Sequence, residues 1–402
     1  MKTPFTIIKG SVTAARGFRA AGMSAGIKLS GRKDLALIVS DAPATVAATF
    51  TTNQVKAAPV RLDMQHIATS GGTARAIVAN SGNANACQGK SGLIHARAMA
   101  VAVARRIKCP EEQVLVCSTG RIGVNLPIVK IEAGIKEILE VVSRRGAHEA
   151  AQAIMTSDTR TKEIAVRFKL GSRAVHIGGI AKGAGMIQPN MATMLAFLTT
   201  DAEMTRVTLQ HALSMAVRQS FNRISIDGDT STNDTVLLLA NGAAGGKPLA
   251  GAALAEFQKA LDFVCLELAK MMVRDGEGVT KFVTVNVHGA VNDHQAEAAA
   301  RAVVNSTLVK TSWCGGDPNW GRIMDAIGYS RAKVREETVE IAYNDVVAVR
   351  HGVATKVSPQ RLRKAAKQPA FAININLHIG RGCCTMHSCD LTEKYVALNK
   401  GE

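Results

Sequence analysis

The stretch that most constrains this chain is Lys182-Gly-Ala-Gly-Met-Ile-Gln-Pro-Asn-Met-Ala-Thr193-Met-Leu-Ala-Phe-Leu198. Its first half is suited to a loop. Gly183 and Gly185 open backbone conformations closed to other residues, and Pro189 with Asn190 signals a turn. Its second half, Met194 to Leu198, is an apolar run suited to a buried strand. Thr193 therefore lies where a glycine-rich loop enters a core strand, with the small Ala192 in front of it. That placement suits a threonine that cuts its own chain. Its hydroxyl attacks the Ala192 carbonyl, the peptide shifts to an ester, and water cleaves the ester. The new chain begins with a free α-amine, whose ordinary pKa of about 7.7–8.0 lets it act as base for its own hydroxyl. Ala-Thr alone reads better as an ordinary strand dipeptide, so the case rests on the longer context.

A chain of 402 residues, 47 % of them hydrophobic, is long enough for two core-bearing layers or domains and apolar enough to stay folded. No apolar run reaches the length of a membrane span. Met1 to Lys9 lacks the apolar core of a signal peptide, and Ser11, Thr13, Arg16 and Arg19 give only a faint transit-peptide character, so a cytoplasmic protein is expected. Lysine and arginine number 49 against 32 acidic residues, a net charge of +17. That balance favours small anionic substrates or nucleic acid. Aromatic residues are only 4 %, too few for stacking platforms, and the positive residues are dispersed, so neither nucleic acid nor membrane is expected as a partner. The eight cysteines are expected to be reduced. Cys383-Cys384 with Cys389 has only His387 nearby and lacks the second ligand pair of a zinc site, so no metal is expected. Asp227, Asp229 and Asp234 lack the terminal glutamate of a calcium loop.

In chain order, strands are expected at Asp34–Val39, Ala44–Phe50 and Ala74–Ala79. The last runs into Asn80-Ser-Gly-Asn-Ala-Asn-Ala-Cys-Gln-Gly89, a small-residue loop with free backbone donors before a helix from Leu93 to Ile107. Val114–Ser118 leads to Thr119-Gly120, where a hydroxyl and a backbone N–H together can stabilise an oxyanion, or simply form a turn. Helices follow at Ile128–Ser143 and His148–Met155, then Thr156-Ser-Asp-Thr159 and a hairpin of Ile164–Leu170 with Ala174–Ile180. Beyond Thr193 come a helix at Val207–Val217, a strand at Thr235–Ala240 and a long helix at Leu249–Met272. Glu277 sits in the turn Asp275-Gly-Glu-Gly278, where it is either a partner for a substrate ammonium or an exposed turn glutamate. A strand at Lys281–Val287, a helix at Asp293–Val304 and an alternating strand around Ile373–Leu377 complete the pattern.

Lys182 through Leu195 closely resembles the self-processing segment of the ornithine acetyltransferase (glutamate N-acetyltransferase) family. Further matches are Asn80 to Cys87, Ser118-Thr119-Gly120, Thr156 to Thr159, Asp275 to Gly278, Asp317 to Arg322 and Gly380 to Gly382. Arg121 and Gly316 depart from the family pattern, which has a small apolar residue and a glutamate there. The resemblance implies an α/β fold of two similar layered halves, α/β/β/α, self-cleaved between Ala192 and Thr193. The products would be an alpha chain of residues 1–192 and a beta chain of 193–402 in a heterotetramer of two of each.

The resemblance further implies arginine biosynthesis by ping-pong transfer of the acetyl group of N2-acetylornithine to glutamate through acetyl-Thr193. Acetyl-CoA is a possible second donor, and no cofactor is expected. Thr119 and Gly120 would hold the oxyanion, and Thr156, Lys182, Glu277 and Asn399 would bind substrate. The chain stops at Glu402, short of the family's aromatic-x-hydroxyl ending, so weaker substrate binding is an expectation. An amidase or aminopeptidase with the same self-processed threonine is the alternative.

Overall fold

The computed structural model describes residues 5–188 and 194–400. Ala192 and Thr193 lie outside the described residues. Those described within Met1–Met186, Asn190–Asn222 and Asp229–Met272 form one compact unit, and those within Ile187–Pro189, Arg223–Gly228 and Val273–Glu402 form a second.

The first unit is built on a nine-stranded sheet in the order Phe5–Ile8, Lys162–Leu170, Arg173–Lys182, Leu195–Thr200, Thr235–Ala240, Leu35–Phe50, Thr73–Asn83 and Val114–Arg121, with Phe18–Met23 also paired to Leu35–Phe50. Alternation along the strands sorts their side chains onto two faces. Leu35, Leu37, Val78 and Val116 meet Met99 and Val103 of the helix Gly89–Ile107 and Ile131, Ile135 and Ile138 of the helix Ile128–Val141. Ile38, Ile77, Leu115 and Cys117 pack in a separate core with Ala150, Ala151 and Ala153 of the helix Ala147–Ala153. Because both faces are covered, these strands read as nearly continuous apolar runs.

The two strands expected at Asp34–Val39 and Ala44–Phe50 are one strand, Leu35–Phe50. Its register against Thr73–Asn83 shifts between Val39 and Ala44, with Asp41, Ala42 and Pro43 exposed at the irregularity. A proline without an N–H is tolerated at such a bulge, so a local turn signal did not end the strand.

The second unit carries a seven-stranded sheet in the order Val353–Ala354, Val346–Arg350, Glu340–Tyr343, Ala370–Asn376, Phe282–Ala290, Gly382–Cys389 and Ile224–Ser225. Val283, Val285, Ile373 and Met386 form a core with Ala299 and Val303 of the helix Asp293–Asn305, Trp313 of Thr307–Gly315 and Ile323 of Trp320–Gly328. The alternate residues carry a polar ladder, in which Asn286 donates to Asn374 at 2.8 Å and accepts from Thr385 at 2.8 Å. The expected α/β layering thus holds within each unit. The division in space differs from the division expected at Thr193: Arg173–Lys182 and Leu195–Thr200, from either side of that position, are antiparallel neighbours in one sheet. Among the described residues no helix is long and apolar enough to cross a membrane.

Candidate active site

Lys182 closes the strand Arg173–Lys182 and pairs in register with Leu195, so the loop carrying the expected nucleophile leaves and returns at neighbouring positions. The Lys182 side chain is buried, and its ammonium donates to Thr156 Oγ1 at 2.7 Å and to Thr119 Oγ1 at 3.2 Å. Three residues that sequence reading assigned to one site therefore meet. An ammonium can only donate, so both threonine hydroxyls accept from it and keep their own protons for another acceptor.

Asp158 is the residue that sequence reading missed. Its buried carboxylate accepts from Lys162 Nζ at 2.5 Å, from the Gly183 N–H at 2.7 Å and from the Thr156 N–H at 2.9 Å, and lies 4.0 Å from Lys182 Nζ. Burial by itself would raise its pKa. The Lys182 and Lys162 charges outweigh that and hold it well below the usual carboxylate range. The four-residue spacing of Asp158 and Lys162 was the available signal, but such a pair is usually a surface one. Lys28 was also missed. Its ammonium donates to Met155 O at 2.6 Å and Lys33 O at 2.8 Å, while Arg32 donates to Thr156 O at 3.2 Å, so both grip the segment bearing Thr156. Burial first, then the Arg32 charge, lowers the Lys28 pKa to about 8, with Asp34 opposing.

Thr119 and Gly120 lie on Val114–Arg121, parallel to Thr73–Asn83. Gly120 has φ +133°, and a Cβ there would lie 2.3 Å from the Gly82 carbonyl carbon, so only glycine fits. A polar framework fixes this corner. Ser118 Oγ donates to Asn80 Oδ1 at 2.6 Å, and Asn233 Nδ2 donates to Ala84 O at 2.6 Å and Ser118 O at 2.9 Å. The next residue, Asp234, accepts the Met194 N–H at 2.8 Å, immediately after the position of Thr193. Its carboxyl is raised well above the ordinary range by burial, which exceeds the opposing hydrogen bond from Met194 and the Lys182 charge. Arg121, where the family has a small residue, is exposed.

In the second unit, Asn399 ends the helix Glu393–Asn399 and donates to Glu277 Oε2 at 2.8 Å and to Tyr395 O at 2.9 Å. The helix is held against the turn: Thr392 caps it and donates to Gly278 O at 2.8 Å. Two substrate-binding candidates 122 positions apart are thus direct partners. Asp317 to Arg322 is a structural corner. Gly316, in the left-handed region at φ +64°, ends the helix Thr307–Gly315, and Asn319 caps Trp320–Gly328.

The ArgJ family model matches residues 19–401. The arginine biosynthesis bifunctional protein ArgJ of Geobacter sulfurreducens is 49 % identical over 387 residues, 96 % of this chain and 98 % of the relative. That of Halalkalibacterium halodurans is 45 % identical over 395 residues, 98 % and 96 % of the two chains. Among solved structures, the crystal structure of the Bacillus halodurans ArgJ matches with a TM-score of 0.50 and 44 % identity, over 51 % of this chain and 98 % of that one. The chain belongs to the ArgJ family.

Proposed function

We propose that this chain is an ArgJ acetyltransferase of arginine biosynthesis, moving the acetyl group of N2-acetylornithine to glutamate. The observation that carries the reading is the buried Lys182 ammonium bonded to both Thr119 and Thr156 at the mouth of the loop leading to Thr193. The chain is cut between Ala192 and Thr193 into an alpha chain of 1–192 and a beta chain of 193–402. A matched ArgJ crystal chain about half as long as this one supports that reading.

The Thr193 hydroxyl then attacks the acetyl carbonyl while the new α-amine takes its proton. Negative charge builds on the carbonyl oxygen, which receives the Thr119 O–H and the Gly120 N–H. Lys182, as acceptor-free donor to Thr119, leaves that O–H proton available. Collapse breaks the C–N bond, and the departing ornithine amine takes the proton back, leaving acetyl-Thr193. The glutamate amine attacks this ester by the same steps in reverse. Lys182 attracts a substrate carboxylate with help from Thr156, and the Glu277–Asn399 pair of the second unit stays a substrate-binding candidate by family resemblance. Acetyl-CoA serves as a second acetyl donor, no cofactor is used, and the enzyme works in the cytoplasm as an α2β2 heterotetramer.

The test is a product assay with N2-acetylornithine, with and without glutamate. Ornithine and N-acetylglutamate in equal amounts, formed over many turnovers only with glutamate present, are expected. Ornithine and acetate released equally fast without glutamate would mean an amidase.

A further inference from the structure

The first unit holds a pocket of about 520 Å³ that the acetyl-transfer reading leaves unused. Its walls carry Lys56, Arg61 and Lys90, and no acidic residue lines it. None of the three is in an ion pair among the described residues; Lys56 donates to the Asn53 carbonyl at 2.8 Å. The pocket also takes in Ala58 and Gly89, the first residues of the helices Ala58–Thr69 and Gly89–Ile107, neither of which has a side-chain cap. The first amides of a helix have no partner within it and carry partial positive charge.

The small-residue loop after Thr73–Asn83 builds this place. Asn85 O accepts the Ala58 N–H at 3.2 Å, and Asn85 Nδ2 donates to Gly92 O at 2.9 Å, so one asparagine ties both helix starts together. Asn85 is wholly buried and lines the pocket. Ile94, 66 % exposed, and Leu93 add an apolar wall. Three cations and the start of Gly89–Ile107 suit a phosphate group, while an exposed apolar wall suits an organic body.

We propose that this pocket binds an organic phosphate of the nucleoside diphosphate class, its phosphates on Arg61, Lys90 and the start of Gly89–Ile107 and its organic part along Leu93 and Ile94. The proposal does not depend on acetyl transfer. Cys87 lines the same pocket and is exposed, so it reports occupancy. The full-length protein is treated with iodoacetamide with and without ADP at matched ionic strength, and alkylation is followed by peptide mass spectrometry. At ten times its Kd, ADP should slow Cys87 alkylation about tenfold. Cys314 and Cys383, both exposed in the second unit, should be unaffected. The protection should weaken as salt rises and vanish in an Arg61→Glu, Lys90→Glu double variant.

Absence of protection by ADP in the wild type overturns the proposal without reference to any variant. So does equal protection in the double variant. Equal protection by inorganic phosphate or glutamate at the same concentration would reduce the pocket to a general anion site and overturn the assigned class.

Discussion

Replacing Asp158 with asparagine should cost this fold more than any other single change to a polar residue of the first unit's site. The carboxylate accepts from Lys162 Nζ, the Gly183 N–H and the Thr156 N–H, with Lys182 Nζ 4.0 Å away. Asparagine removes the charge and turns one oxygen into a donor, so in either orientation an N–H faces another N–H. Two lysines, with side chains 1 % and 2 % exposed, lose the carboxylate between them. Removing one partner of a buried pair costs about 3–5 kcal/mol. Lys162→Met leaves Asp158 facing Lys182 and should cost less, about 1–3 kcal/mol. Denaturant unfolding followed by circular dichroism measures both. The Asp158 pKa is depressed in the folded state, so its contribution is complete above the unfolded value of about 3.9 and is lost as pH falls through the folded value. The gap between wild type and Asp158→Asn should therefore stay constant from neutrality to mild acid and close only in strong acid. An Asp158→Asn protein within about 1 kcal/mol of wild type, less than one buried hydrogen bond to a charge, would refute the reasoning.

Three further outcomes are expected. Thr119→Ala should lower kcat by about 10²–10³ with little change in the acetyl-donor KM, as loss of one oxyanion donor does; an unchanged kcat in processed enzyme removes Thr119 from the reaction. Lys28, with its folded pKa lowered to about 8, binds fewer protons when folded than when unfolded between that pH and its ordinary value, so wild-type stability should rise with pH there relative to Lys28→Met. Solvent screening at this half-buried site limits the gain to about 1 kcal/mol, and thermal melts that keep a constant gap would contradict it. Asp234→Asn keeps an acceptor for the Met194 N–H and should stay within about 1 kcal/mol of wild type, whereas Asp234→Ala leaves that amide unpaired at about 1–3 kcal/mol; equal damage from both would mean the carboxyl acts ionised.

Elements whose pattern is local were legible in the sequence. The strand Thr235–Ala240 falls where its apolar run placed it, and the helix Arg206–Gln219 extends the expected Val207–Val217 by one residue at the start and two at the end. The break expected near Ser40–Pro43 failed because pairing on both sides carries a strand through a bulge that its turn residues only mark. The meeting of Lys182 with Thr119 and Thr156 was reached through family resemblance, since spacing cannot show contacts across 63 and 26 positions. Asp158, inside the matched Thr156–Thr159 segment, was given no role, and Lys28 was not found. Each is an ordinary charged residue locally, and only the sheet brings Asp158 under the Gly183 amide and Lys28 against the Met155 carbonyl. Asn80–Gly89 was read as a loop of free backbone donors, but Asn80–Asn83 continue the strand Thr73–Asn83, and the basic pocket beside the rest depends on Lys56 and Arg61 from an earlier segment.

Intact mass spectrometry of purified enzyme, before and after mixing with N2-acetylornithine in the absence of glutamate, tests transfer through Thr193 most directly. Two polypeptides with the masses of residues 1–192 and 193–402 are predicted. The second should gain one acetyl group, mapped to the Thr193 hydroxyl, and lose it when glutamate is added. A single uncleaved chain that still forms N-acetylglutamate, or an acetyl group carried on any other residue, would contradict this account.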